Sequence, residues 1–156
     1  MPAGTRILLL LACVGLSFVP GLLGARFEPG PWYEGLAKPP LTPPGWVFPV
    51  AWGALYAAMG VALYLYVTAR ERPMPRLPLA LFATQLLLNG LWSWLFFGLH
   101  RPGLALFDLA LLWLVLIATI ATFWRRRRAA GALLVPYLVW VSFAGYLNAA
   151  LWWLNS

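Results

Sequence analysis

The chain has 156 residues, of which 63% are hydrophobic and 10% are charged, whereas an average soluble domain is about 45–50% apolar and about 25% charged. This excess of apolar residues excludes a single water-soluble globule and indicates an integral membrane protein in contact with lipid. The net charge of +7 does not indicate a nucleic-acid partner, because the arginines lie beside long apolar runs. The single cysteine, Cys13, excludes an intrachain disulfide and a cysteine-based zinc site. With one histidine and four acidic residues besides, no metal is expected.

Five long apolar stretches follow one another along the chain. Because roughly 20 apolar residues cross the hydrocarbon of a bilayer, they predict an all-α integral membrane protein, a bundle of five transmembrane helices in one domain of residues 1–156. The predicted spans are residues 7–23, 46–69, 79–99, 104–124 and 132–154. The start of the first span resembles a lipoprotein cleavage site at Cys13, but the apolar core before it is too short, so a retained helix is expected.

Basic residues are distributed unequally between the two ends of the predicted bundle. The larger group is Arg6, Arg70, Arg72, Arg76 and residues 125–128, and the smaller group is Arg26, Lys38 and Arg101. Since cytoplasmic loops are enriched in basic residues, we expect the N-terminus to face the cytoplasm. The excess of Arg over Lys is compatible with a bacterial cell envelope. For the run at 125–128, an orientation signal is favoured over nuclear localisation or lipid binding.

The connection between the first two spans, residues 26–45, is long and contains six prolines. Proline fixes φ, so this segment is stiffer than a Gly/Ser linker of equal length. Its aromatic and leucine side chains need an apolar surface to cover. We therefore expect a folded loop that caps the mouth of the bundle, and the alternative is an extended connector with interfacial aromatic side chains. The predicted cap residues are Trp32, Tyr33, Leu36, Pro43 and Pro44.

Polar residues inside the spans mark the predicted interior, because they are costly in lipid unless they face protein or water. Gln85, Asn89, Trp92 and Phe96 share one helix face, which should point inward. The two amides either tie helices together or contact a ligand. Asp108 should also point inward and be protonated or hydrogen-bonded, with proton coupling or a cationic ligand as alternatives.

Two spans carry aromatic stripes at helical spacing. In the second span the stripe is Trp52, Tyr56, Met59 and Leu63, and in the fifth it is Tyr137, Trp140, Ala144 and Leu147. Such stripes more often serve packing than binding. Several aromatic faces beside small residues can, however, line a cavity that accepts a flat macrocycle.

The first connection also carries a long motif. Residues 32–40 read WYEGLAKPP, residues 43–49 read PPGWVFP, and Trp52 follows. This order and spacing resemble the translocator protein family, also called tryptophan-rich sensory proteins or peripheral-type benzodiazepine receptors. The similarity continues through the later spans at Leu55, Tyr56, Met59, Gln85, Asn89, Trp92, Ser93, Phe96, Phe97, Asp108, Pro136, Tyr137 and Trp140.

The resemblance implies a membrane receptor or sensor that binds porphyrins, such as protoporphyrin IX or haem, in a cavity inside the bundle. Sterols and benzodiazepine-type compounds are alternative ligands, no cofactor is required, and a homodimer is implied. Positions matching Trp52, Asn89 and Trp140 contact tetrapyrroles or synthetic ligands in the family. The expected ligand-binding residues are Trp46, Phe48, Trp52, Tyr56, Asn89, Trp92, Asp108, Tyr137, Trp140, Phe143, Ala144 and Leu147.

Two further functions stay open, namely light-driven porphyrin degradation with Trp52 and Trp140 as the reactive side chains, and tetrapyrrole or sterol transport. Hydrolytic or metal catalysis is not expected, because His100 should be a solvated loop residue.

No Lys or Arg follows Tyr146, so the chain departs from the family's cholesterol motif, although Val61, Tyr66 and Arg70 satisfy a looser sterol pattern.

Overall fold

The computed structural model describes residues 2–69 and 74–156, and all regular structure in these ranges is helical. Five helical segments in these ranges are long and apolar enough to cross a membrane. The helices are α1 (Ala3–Gly24), α2 (Pro31–Glu34), α3 (Val47–Val67), α4 (Arg76–Ser93), α5 (Pro102–Arg126), α6 (Arg128–Ala132) and α7 (Val135–Leu154). A π-helical turn, Trp94–Gly98, extends α4, and α6 with α7 forms the fifth span. The predicted five-span all-α membrane protein is confirmed.

Helix bounds differ from the predicted spans mainly where arginine flanks an apolar run. Helix α4 begins at Arg76, because Pro78 lies in its first turn, where the missing N–H costs little. Helix α5 continues through Arg126, since a charged side chain at the membrane surface does not interrupt backbone hydrogen bonding. Arg70 and Arg72 lie outside the described residues. Both contributed to the predicted orientation, and Arg70 also belongs to the loose sterol pattern.

The first span is part of the bundle, since α1 packs along α3 and α4, while α5 packs against α4 and α7. Gly60 of α3 lies so close to α1 that a Cβ atom there would overlap the backbone of Val14. Ala62 on the same helix is fully buried, whereas Ala54 is exposed. Gly60 and Ala62 therefore serve close helix packing within the chain.

At the arginine-bearing end, an aromatic stack fills the core. The ring of Phe123 lies 4.3 Å from that of Tyr66 and 5.7 Å from that of Phe82, measured between centroids. Arg126 donates from Nε to the carbonyl oxygen of Tyr66 over 3.1 Å and from Nη2 to that of Ala69 over 3.5 Å. The ends of α3 and α5 are thereby fastened together.

Candidate functional site

The proline-rich connection folds back onto the bundle. The ring of Trp32 lies 5.7 Å from that of Phe96 and stacks on His100 at 4.2 Å, and Tyr33 meets Phe97 edge-on at 5.6 Å. Phe96 and Phe97 belong to the π-helical turn, whose wider winding is frequent at functional sites. The cap predicted for this segment is therefore present. The side chain of His100, on which Trp32 stacks, is still exposed.

Hydrogen bonds from the last helix hold this cap. The N–H of Ala37 donates to Oδ1 of Asn155 over 2.9 Å, and Nδ2 of Asn155 donates to the Ala37 carbonyl over 3.0 Å. The hydroxyl of Tyr146 donates to the carbonyl oxygen of Pro40 over 3.1 Å. Tyr146 of α7 and Asn155, which directly follows α7, thus both bond to the backbone of the cap.

Not every predicted cap residue covers the bundle. Leu36 packs with Trp32 and Tyr33 against the cluster around Phe96, and partial burial raises the pKa of the Tyr33 phenol. Pro44, by contrast, is exposed, and its carbonyl accepts the N–H of Val47 at the start of α3. Pro43 is half-buried. The two prolines therefore direct the chain into the second span.

A side-chain amide joins three spans in the bundle interior. The hydroxyl of Tyr56 donates to Oδ1 of Asn89 over 2.7 Å, and Nδ2 of Asn89 donates to the hydroxyl of Tyr137 over 2.9 Å. All three side chains are buried. Of the two roles open to this amide, the structure shows helix tying, and any ligand bonding to it must share or displace a tyrosine.

An aromatic wall continues from this triad across the second and fifth spans. The ring of Trp52 stacks on Tyr56 at 5.4 Å and meets Trp140 edge-on at 6.3 Å. Trp140 in turn contacts Phe48 at 6.0 Å and Phe143 at 5.8 Å. The predicted aromatic residues thus form one continuous surface.

Beside this wall, a groove of about 500 Å³ separates α3 from α7. Its lining residues are Ala51, Ala54, Leu55, Pro136, Val139, Trp140 and Phe143. The groove opens toward the outside of the bundle, and the cavity expected inside the bundle stays a prediction. Of the small and aliphatic lining residues, Ala51 and Val139 were not singled out from the sequence, although Ala51 and Leu55 share a helix face at i and i+4.

A second groove, of about 480 Å³, lies between α5 and α7. Nε1 of Trp113 in its lining donates to Oγ of Ser142 over 2.9 Å. Leucine, alanine and valine make up most of the remaining lining, so this groove has one aromatic side chain where the first has two.

Other predicted polar residues lie deeper in the bundle. Nε1 of Trp92 donates to Oδ1 of Asn148 over 3.0 Å, and Nδ2 of Asn148 donates to the Pro102 carbonyl over 2.8 Å. Asp108 is 3% exposed and Gln85 fully buried, and no side-chain oxygen or nitrogen of either has a hydrogen-bond partner within the described chain. Asn148 was missed, although it stands eleven residues after Tyr137 and so shares its helix face.

Comparison with known proteins gives one consistent result. The sequence model of the TspO/MBR family matches residues 8–154. Protein CrtK of Rhodobacter capsulatus is 45% identical over 136 residues, with 86% of this chain and 85% of the relative covered. The chain belongs to the TspO/MBR family. Tryptophan-rich protein TspO of Chlorobaculum tepidum is 42% identical over 154 residues (96% and 98% covered), and translocator protein of Bos taurus is 40% identical over 150 residues (89% and 87% covered).

Some residues expected to bind ligand in this TspO/MBR protein lie away from the first groove. Trp46 is 68% exposed where the chain enters α3. Ala144 packs against the main core, and Leu147 is 7% exposed. Ligand contact by these residues stays a prediction. A separate finding concerns metals: the described residues contain no group of three or more His, Cys, Asp or Glu arranged to hold a metal ion.

Replacing Asn89 by leucine is expected to lower the free energy of unfolding by about 2–5 kcal/mol, because two buried tyrosine hydroxyls lose their partner. Adding Tyr56→Phe and Tyr137→Phe removes both hydroxyls and should restore part of the loss. Unfolding in mixed micelles, followed by circular dichroism, measures both effects. A triple variant less stable than Asn89→Leu alone would contradict this account of the triad.

Replacing Asn155 by alanine is expected to accelerate amide hydrogen exchange at Ala37 on the order of tenfold, because both bonds between this side chain and the cap are lost. Exchange measured by mass spectrometry on peptides covering residues 32–40 tests this. The control is Ser156→Ala, since the Ser156 hydroxyl donates to the Trp152 carbonyl in the last turn of α7 and has no bond to the cap within the described residues. Equal exchange in the two variants would show that Asn155 does not hold the cap.

Proposed function

We propose that this TspO/MBR-family protein is a membrane receptor or sensor that binds porphyrins against the aromatic wall of α3 and α7. The observation that carries the proposal is the continuity of this wall with an apolar groove. Trp140 and Phe143 belong to both, and the groove's other lining residues are small or aliphatic. A flat, mainly apolar macrocycle matches such a surface through ring stacking and burial.

The dimensions of the groove agree with this ligand class. Binding sites for small molecules commonly enclose about 300–1,000 Å³, and this groove measures about 500 Å³. Sterols and benzodiazepine-type compounds are also largely apolar and stay alternative occupants. The names of the relatives, translocator protein and tryptophan-rich protein, support a sensor or carrier in the membrane.

Titration of the detergent-solubilised protein with protoporphyrin IX is expected to give saturable quenching of tryptophan fluorescence. Trp140→Leu should weaken binding on the order of tenfold, since the ring offers stacking as well as area. The matched control is Trp113→Leu in the second groove, which should leave the affinity unchanged. Equal loss in both variants would rule out the groove between α3 and α7 as the binding position.

Light-driven degradation of porphyrin is the second candidate function, because Trp52 and Trp140 are in edge contact and one of them lines the groove. The same titration decides it when repeated under illumination in air. Loss of porphyrin absorbance that persists in Trp113→Leu and is abolished by Trp52→Phe with Trp140→Phe, while binding remains, supports degradation. Stable absorbance supports binding alone.

Transport is tested by flux of protoporphyrin IX into proteoliposomes, which a sensor does not support.

A homodimer is also proposed, on the strength of family membership. Cross-linking in native membranes distinguishes it from a monomer, because only a dimer yields a band of doubled mass.

We also propose that the N-terminus faces the cytoplasm of a bacterial cell. Arg6, Arg76 and residues 125–128 lie at one end of the described bundle, where basic residues favour the cytoplasmic side. With five spans, the C-terminus then lies outside. Alkaline phosphatase fused there should be active and green fluorescent protein dark, and the reverse pattern would overturn the orientation.

A further inference from the structure

The corner between the fourth and fifth spans presents three guanidinium groups within four positions. Arg125 ends α5 together with Arg126, Arg127 leaves the helix in an extended conformation, and Arg128 begins α6. The side chains of Arg125, Arg127 and Arg128 are exposed. Over residues 2–69 and 74–156, none of these three forms a hydrogen bond or ion pair with the protein through its side chain. Their charges therefore face the surroundings.

This corner is held in one geometry by its neighbours. Arg126 is fastened to the end of α3 through the carbonyls of Tyr66 and Ala69. Gly131 packs against Trp124 so tightly that a Cβ atom would stand 2.8 Å from the Trp124 Cα. The N–H of Arg127 also donates to the Phe123 carbonyl over 2.8 Å. The three exposed arginines are thus carried on a fixed turn.

Acidic side chains do not neutralise the corner within the described ranges. Glu28 and Glu34 lie in the first connection, at the opposite end of the bundle, and Asp108 is buried within α5. The remaining acid of the sequence, Glu71, lies outside the described residues. The corner therefore has an excess of positive charge at the level where α5 leaves the membrane.

A guanidinium group donates two parallel hydrogen bonds to a phosphate, and basic pockets between spans at a membrane surface bind acidic headgroups. Trp124, 44% exposed beside Arg125, has the amphipathic ring typical of the interface. We propose that this corner binds the phosphate headgroup of an anionic phospholipid. Three guanidinium groups best match a headgroup with two phosphates, as in cardiolipin.

The proposal is tested on the full chain in detergent, with tetraoleoyl cardiolipin as the probe and native mass spectrometry as the readout. Arg125→Gln with Arg128→Gln should weaken cardiolipin binding about thirtyfold, since each basic residue at a lipid surface contributes about fivefold. The matched control is Arg6→Gln with Arg76→Gln, which removes the same charge from the same end of the bundle.

Each outcome decides the proposal. The proposal is supported if cardiolipin binding is lost in the corner variant alone and if the unaltered protein binds dioleoylphosphatidylcholine more weakly than cardiolipin. Equal loss in both variants would show that overall charge at this end attracts the lipid, without a site at the corner. Competition by millimolar inorganic phosphate would show that a free anion suffices, and would overturn the assignment to lipid. Circular dichroism of each variant establishes that it is folded.

Discussion

The Asn89 amide lies between two phenols at a depth where lipid offers no hydrogen bonds, so its partners have to come from the protein. Tyr56 and Tyr137 provide them from α3 and α7, while Asn89 itself belongs to α4. A rotation of any of these helices would leave a polar atom without a partner in a low-dielectric region. The amide thereby fixes the relative rotation of three spans.

The aromatic wall depends on this fixed rotation of the three helices. Trp52 stacks on Tyr56 and touches the edge of Tyr137, so both tyrosines of the triad also position the indole. Trp140 then meets Trp52 edge-on. A hydrogen-bonded centre thus sets the orientation of rings that extend to the lipid-facing groove, although the groove lining itself is apolar.

The two ends of the bundle are built by different means. At one end, an aromatic stack and the contacts of Arg126 with backbone carbonyls join α3 to α5. At the other, a proline-stiffened loop is attached by side chains of α7. The first arrangement leaves the side chains of three neighbouring arginines exposed. The second covers a cluster of phenylalanine side chains that would otherwise face the membrane surface.

The succession of apolar stretches predicts the five spans, since stretches of this length have few other uses in a chain of 156 residues. The inward faces of Asn89 and Asp108 are equally predictable, because a polar group exposed to lipid is costly. Helix ends at Arg76 and Arg126 are not, since hydropathy reports side-chain polarity and not backbone hydrogen bonding.

Hydrogen bonds between residues that are distant in the chain could not be predicted from the sequence either. Asn155 and Ala37 are 118 positions apart, and no local pattern indicates their bonds. The lateral position of the groove has the same cause, because it follows from how bulky side chains fill the interior. The expected ligand class rests on the family resemblance, whereas the contacts of Trp52 with Tyr56 and Tyr137 became visible only in the structure.

The cap joins both walls of the groove. It continues directly into α3, and its backbone is held by Asn155 and Tyr146 of α7. Separating α3 from α7 at this end therefore stretches the same bonds that keep the cap in place. For a ligand that separates the two helices there, occupancy of the groove and protection of the cap backbone would be thermodynamically linked. By reciprocity, a ligand that requires a wider groove loosens the cap by the factor through which a loosened cap improves its affinity.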